Sequence, residues 1–216
     1  ALLKMGAGLI CLFIFLFLPA GTFDYPNGWL FVAILFIPML CFGLVLFIKA
    51  PDLLQKRLQT NEKNADQKQV ILLSTILFII VFVLSGLDFR FQWSNLPHWV
   101  VAAASVVFLL GYSLYIETMR ENAFLSRTVE IQQKQKVIST GLYSIVRHPM
   151  YFATVLVFLS MPLILGSIYA FIVIACSYPF IIAKRIKGEE QILSEGLDGY
   201  KEYMNQVKFK MIPLIW

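Results

Sequence analysis

Three ionisable residue types fall at positions where they could work together. Arg147 and His148 stand immediately before Pro149, which opens an apolar run, and Glu189 and Glu190 follow the next apolar run. Proline suits the first turn of a helix because the N–H it lacks would have had no partner there. The unpaired N–H groups and positive dipole end of such a helix, together with Arg147 and His148, favour a carboxylate or phosphate. Two carboxylates on the other side can hold a cation. The combination predicts a cradle for a zwitterion, its competitor being simple pairing of Arg147 with the glutamates or with lipid headgroups.

The elements that must position these residues are set by composition. Of 216 residues, 59% are hydrophobic and only 14% charged, too little polar surface for a soluble domain of this size. The expected fold class is an all-α polytopic integral membrane protein with about six transmembrane helices. The net charge of +5 does not indicate nucleic acid, because the lysines and arginines lie in short loops between apolar runs. Cys11, Cys41 and Cys176 each lie inside an apolar run without metal-type spacing, so they read as buried thiols, and neither a disulfide nor zinc is expected.

The expected spans run from 2 to 18, 29 to 48, 70 to 87 and 100 to 116, followed by a tight hairpin of 149 to 165 and 167 to 183. The first could be a signal peptide, but it is long for one and no small-residue cleavage site follows, which favours a transmembrane helix. Pro38 is expected to kink the second. Residues 49–69 read as a solvated connector, and His98 as an interfacial residue. Residues 117–146 are the longest connection, with β-favouring pieces at 128–132 and 136–138 that suggest a small hairpin or extended arm. In that arm Asn122, Ser126 and Thr128 could touch a ligand or simply serve loop turns. Beyond the glutamates, Leu193, Leu197, Tyr200, Met204 and Val207 share a helical spacing, with a break expected near Gly196 and Gly199. The last residues, 211–216, are apolar enough to return to the membrane interface.

Every lysine and arginine except Arg90 falls on one side of this topology, Lys4 and Lys63 included. The positive-inside rule then puts both termini and both halves of the cradle on the cytoplasmic face. Two parts are expected: a four-span membrane scaffold at 1–116, and a catalytic module at 117–216 made of the loop arm, the hairpin and the tail.

The order Gly141-Leu142-Tyr143, Arg147-His148-Pro149-Met150-Tyr151, Glu189-Glu190, Gly199-Tyr200 with Tyr203, and Ile212-Pro213 resembles the isoprenylcysteine carboxyl methyltransferase family, which is related to membrane phospholipid methyltransferases. Members of that family often carry glycine where this chain has Ala153. The resemblance implies a membrane enzyme that binds S-adenosylmethionine in a cytoplasm-facing pocket and methylates a lipid-like or prenylated acceptor arriving from the bilayer, an isoprenylcysteine-type carboxylate being favoured. It further implies that His148 and the Pro149 helix start serve the cofactor carboxylate, that Glu189 or Glu190 serves its ammonium, and that Tyr143 and Tyr151 line the pocket. Arg147 is the expected catalytic residue, orienting a carboxylate acceptor by a bidentate contact. No metal or covalent nucleophile is needed, because a sulfonium already carries an activated methyl group and the protein must mainly align the partners. A lipid reductase using NADPH and a non-enzymatic transporter or scaffold are the alternatives.

Overall fold

The computed structural model describes residues 2–58, 62 and 64–216, with side chains described from residue 6 onward. Gln59, Thr60, Asn61 and Lys63 lie outside the described residues, as does the side chain of Lys4. The described chain is all helix and loop, with no strand. Four helices are long and apolar enough to cross a membrane: α3 (Pro26–Lys49), α5 (Ala65–Phe91), α6 (His98–Glu121) and α8 (Ile168–Gly196). Two shorter apolar helical stretches, Gly6–Ala20 and α7 (Pro149–Ile164), take the remaining expected positions. The first of these takes in most of α1 (Leu2–Leu12), a π-helical turn at Phe13–Phe17 and α2 (Leu18–Ala20), and it stops at Gly21, which is left-handed. The protein is thus a polytopic membrane protein, and its many outward Leu, Ile, Val and Phe side chains suit lipid rather than water.

The bundle is built around α7, which packs mainly on α6 and α8, while α5 packs on α8. Apolar side chains gain nothing from leaving lipid for a helix interface, so close backbone approach and van der Waals contact must hold such helices together. Gly111 in α6 supplies the approach: a Cβ there would sit 2.9 Å from Leu156 Cβ and 3.1 Å from Ala153 O. Ala153 is itself fully buried, which explains why this position takes a small residue. Further along the hairpin, Phe158 meets both Phe78 of α5 and Tyr178 of α8 edge-on, at 4.5 and 5.2 Å between ring centroids. Tyr178 Oη donates to Thr154 Oγ1 at 3.1 Å, a polar stitch within this aromatic junction.

Two departures from the expected elements matter for the site. The last long helix does not end near Ala183 but continues to Gly196, so the glutamate pair lies on it. The cause is a buried stripe at four-residue steps, Ile174, Tyr178, Ile182, Ile186 and Glu190, which gives the helix a packed face well past its apolar core. The second departure is the 49–69 segment. It contains a further helix, α4 (Pro51–Leu58), and Asn64 caps α5 by accepting from Gln67 N at 3.1 Å. It is not a solvated connector, because several of its side chains grip the arm, as described below.

Of the two forms expected for the arm, a small hairpin or an extended arm, the paired strands are absent: the chain runs as loop with a turn at 132–135. The cysteines also differ from expectation: all three are free but exposed on the outer surface of the bundle, where a small apolar side chain can face lipid. As expected, the chain breaks after Gly196, and Gly199 adopts a left-handed conformation (φ 81°) before a short helix, α9 (Tyr200–Gln206).

At the end of the bundle where α7 and α8 are joined, Asp88 is buried near the end of α5. It accepts from Ser94 N at 2.7 Å, Ser94 Oγ at 2.7 Å and Ser167 Oγ at 2.5 Å. Ser167 also caps α8, accepting from Ala170 N at 3.1 Å, so the carboxylate stands at the positive end of that helix. Close by, Tyr25 stacks on Phe89 and donates to Leu165 O at 2.5 Å.

Candidate functional site

The other end of the bundle carries the motif residues. Residues 141–144 form a single 3-10 turn that brings the chain from the arm to α7. Gly141 has a positive φ of 57°, and a side chain there would run into the Glu121 carboxylate, which accepts from Leu142 N at 2.9 Å. This contact between α6 and the turn fixes where Tyr143 points. Arg147 N then donates to Phe209 O at 3.0 Å and His148 N to Lys210 O at 2.7 Å, so the tail runs alongside the start of α7.

Arg147, His148 and Glu190 form a buried knot, exposed by only 7, 5 and 6%. Arg147 Nε donates to Glu190 Oε1 at 2.7 Å, His148 Nε2 lies 3.3 Å from the same oxygen, and Lys210 Nζ is 3.0 Å from Glu190 Oε2. Arg147 Nη1 donates to Val207 O at 2.6 Å and Lys208 O at 3.0 Å. A planar guanidinium makes such a fork where an ammonium cannot. The anion expected near the α7 start is therefore, in part, the chain's own Glu190. Arg147, for which the sequence suggested an acceptor-orienting role, has its Nε and Nη1 committed to Glu190 and the tail.

Glu189 lies one residue earlier, about 100° around the helix, and has a different environment. It lines a cavity whose floor is α7 and α8 and whose roof is the arm, with Asn122 to Glu130 and Gln135 to Ile138 contributing. Tyr143, His148 and Tyr151 share that wall, as do Tyr200 and Tyr203 from the tail. Tyr151 Oη donates to Glu189 Oε2 at 2.5 Å and in turn accepts from Arg185 Nε at 3.2 Å. Tyr143 is 6% exposed, and its Oη makes no hydrogen bond of normal geometry among the described residues, although the Asn122 side chain bears on it. Burial raises its pKa above the ordinary tyrosine value, so it remains a neutral phenol able to donate. A buried polar atom left unpaired costs about 1–3 kcal/mol unless something meets it. Tyr203 Oη, by contrast, is satisfied by Tyr143 O at 2.7 Å.

The structure brings Tyr143, Arg147, His148, Tyr151 and Glu189 to one cavity, with Glu190 bonded to Arg147 behind it, while Pro149 is buried at the start of α7 and does not line the cavity. Ser126 and Thr128 bond each other at 3.0 Å, and Asn122 accepts from Phe124 N at 2.9 Å, which is loop chemistry. Sequence reasoning missed the residues that hold the roof. Lys56 Nζ reaches Ala123 O at 3.5 Å, Arg57 Nη1 donates to Ser126 O at 3.1 Å, and Glu62 Oε2 accepts from Val129 N at 3.0 Å. Arg185 was missed as well. Its four-residue spacing from Glu189 was visible, but only once the helix is continued past Ala183 do the two share a face.

Residues 99–198, from α6 to the end of α8, match the phospholipid methyltransferase family, a group that includes the isoprenylcysteine methyltransferases. The matched stretch is under half of the chain and contains both the Arg147–Tyr151 element and the glutamate pair. A comparison with curated proteins finds no match. With the membrane-length helices, the family match supports a membrane methyltransferase, and methyltransferases of that family generally use S-adenosylmethionine.

Proposed function

We propose that this protein transfers a methyl group from S-adenosylmethionine to a lipid-like acceptor at the cytoplasmic membrane interface, within the 117–216 module. The observation that carries the reading is the pairing, on one cavity wall, of a carboxylate and a buried phenol: Glu189 and Tyr143, whose Oη makes no hydrogen bond of normal geometry. An amino-acid end group suits that wall. In this reading Glu189 receives the cofactor ammonium, Tyr143 Oη donates to the same ligand, and His148 with the α7 start at Pro149 serves its carboxylate. Tyr151 acts through Glu189, holding the carboxylate in place, and the ring faces of Tyr200 and Tyr203 complete the wall.

Bound S-adenosylmethionine supplies an activated methyl group. The residues of the chain then have to bind, align and exclude water, and a roof made of Phe124, Leu125 and Val129 over a polar floor suits that task. An isoprenylcysteine-type carboxylate is the acceptor favoured by the order of motifs, and it needs no general base. Arg147 and Glu190 serve this reaction by pinning the tail beneath the cavity. The lysine and arginine bias supports a cytoplasmic mouth and cytoplasmic termini.

The test is equilibrium binding of S-adenosylhomocysteine and of NADPH to the purified detergent-solubilised protein and to its Glu189→Ala variant. Methyl transfer to a farnesylated cysteine is then compared with transfer to phosphatidylethanolamine vesicles. Binding of S-adenosylhomocysteine alone, lost in Glu189→Ala, is expected. Binding of NADPH alone would replace the reading with that of a reductase, and binding of neither with that of a transporter or scaffold.

A further inference from the structure

Arg185 touches more of the site than any residue singled out by the motifs. Its Nη2 donates to Arg127 O in the arm at 2.8 Å, and its Nη1 donates to Gln67 Oε1 at the start of α5 at 2.5 Å. The same Nη1 lies 3.6 Å from Glu62 Oε2, and Nε donates to the Tyr151 hydroxyl at 3.2 Å. That hydroxyl is the donor to Glu189. One rigid guanidinium thus joins the roof of the cavity, Glu62, Gln67 and, through Tyr151, the carboxylate on the cavity wall. The side chain is only 12% exposed, so these contacts are made largely out of water, where charge-assisted hydrogen bonds are strongest.

We infer that Arg185 is a positioning residue that couples closure of the 122–138 arm to the orientation of Glu189. The geometry gives each end a separate dependence on it. Next to Arg127, the backbone N–H of Val129 is held by Glu62, which is itself beside Arg185, so two of the arm's ties involve this one cluster. At the other end, the Tyr151 hydroxyl has one proton and gives it to Glu189. The N–H from Arg185 fixes the phenol's lone pair and hence the direction of that proton. A ligand that draws on Glu189 therefore acts on Tyr151, Arg185 and the arm in turn. Lysine has three donors, but on a single nitrogen, and cannot span the separated acceptors that Nε, Nη1 and Nη2 reach.

The inference rests on the methyl-donor reading for its ligand, but not for its mechanical half. Limited trypsin digestion, read by mass spectrometry for cleavage after Arg127, Lys134 or Lys136, reports on the arm with no ligand present. In Arg185→Gln, cleavage in the arm is expected to be on the order of tenfold faster, while Tyr151→Phe, which leaves the Arg127 contact, keeps the parent rate. The dissociation constant for S-adenosylhomocysteine is expected to rise on the order of tenfold in each variant, and in the double variant by no more than in either alone. KM for the methyl donor rises with kcat little changed, because binding and not the transition state is affected. Arg185→Lys keeps the charge, serves should the glutamine variant not fold, and is expected to share its arm cleavage.

Parent-like cleavage in both Arg185 variants, or affinity losses that multiply in the double variant, would overturn the coupling. If the parent protein fails to bind S-adenosylhomocysteine while Arg185→Gln still frees the arm, the methyl-donor reading falls and the tie to the arm stands. The ligand half of the coupling is then read with NADPH, and parent-like NADPH affinity in Arg185→Gln would overturn it.

Discussion

Glu189 and Glu190 are neighbours in the chain and occupy two different kinds of place. Glu190 continues the buried stripe of α8, and Arg147, His148 and Lys210 close around it, so its negative charge is met entirely from within. Glu189 faces the cavity, where its one described donor is a tyrosine and where Tyr143 carries a buried hydroxyl that makes no hydrogen bond of normal geometry. Asp88, at the far end of the bundle, belongs with Glu190: three donors satisfy it, and it is not part of the cavity. In a membrane protein both kinds of acidic residue attract attention, since an ionisable group among apolar helices is costly. The two kinds differ in whether the chain itself supplies all of the partners.

Removing Glu190 tests that distinction most severely. Glu190→Ala leaves Arg147 buried without its counter-charge and should cost about 3–5 kcal/mol, seen as a large fall in thermal midpoint or loss of the monodisperse protein in detergent. Glu189→Ala should leave the midpoint near that of the parent yet weaken S-adenosylhomocysteine by about a hundredfold, roughly 2.7 kcal/mol. If the two variants exchanged these phenotypes, the assignment of the two glutamates would have to be reversed. Asp88→Ala should cost about 1–3 kcal/mol of stability by stranding the hydroxyls of Ser94 and Ser167, with ligand affinity unchanged. A selective loss of affinity in that protein would join the two ends of the bundle functionally. The smallest effect is expected of Tyr143→Phe, a loss of about 0.5–1.5 kcal/mol in ligand binding with stability equal to or above the parent's, because an unpaired buried hydroxyl is removed. Destabilisation by that change would show that the hydroxyl already has a partner.

Much of the outline was legible in the chain because each feature had a local cause. Apolar runs of membrane length gave the spans, Pro149 gave the start of α7, and Gly196 and Gly199 gave the break before α9. The residues Leu193, Leu197, Tyr200, Met204 and Val207 do pack together, with Tyr203 and Val137, though across a helix break rather than along one helix. The roof of the site was not legible. Lys56, Arg57 and Glu62 bind backbone atoms of the arm some 67–69 positions away, and a backbone carbonyl carries no residue-specific signal to match.

By itself, the sequence determined that this is a membrane protein of packed helices and that a cationic and an acidic pair belong to one end of a helical hairpin. Hydropathy and helix signals act over a few turns, so they can be read without knowing what packs where. Only the tertiary structure decided which glutamate is anchored and which faces the cavity. That choice depends on the phase of α8 where it extends beyond its apolar core, and on the tail that returns to bring Lys210 and the carbonyls of Val207 and Lys208 to Arg147 and Glu190. A rotation of one residue along a helix moves a side chain by about 100°, and only contacts distant in sequence fix which direction is inside.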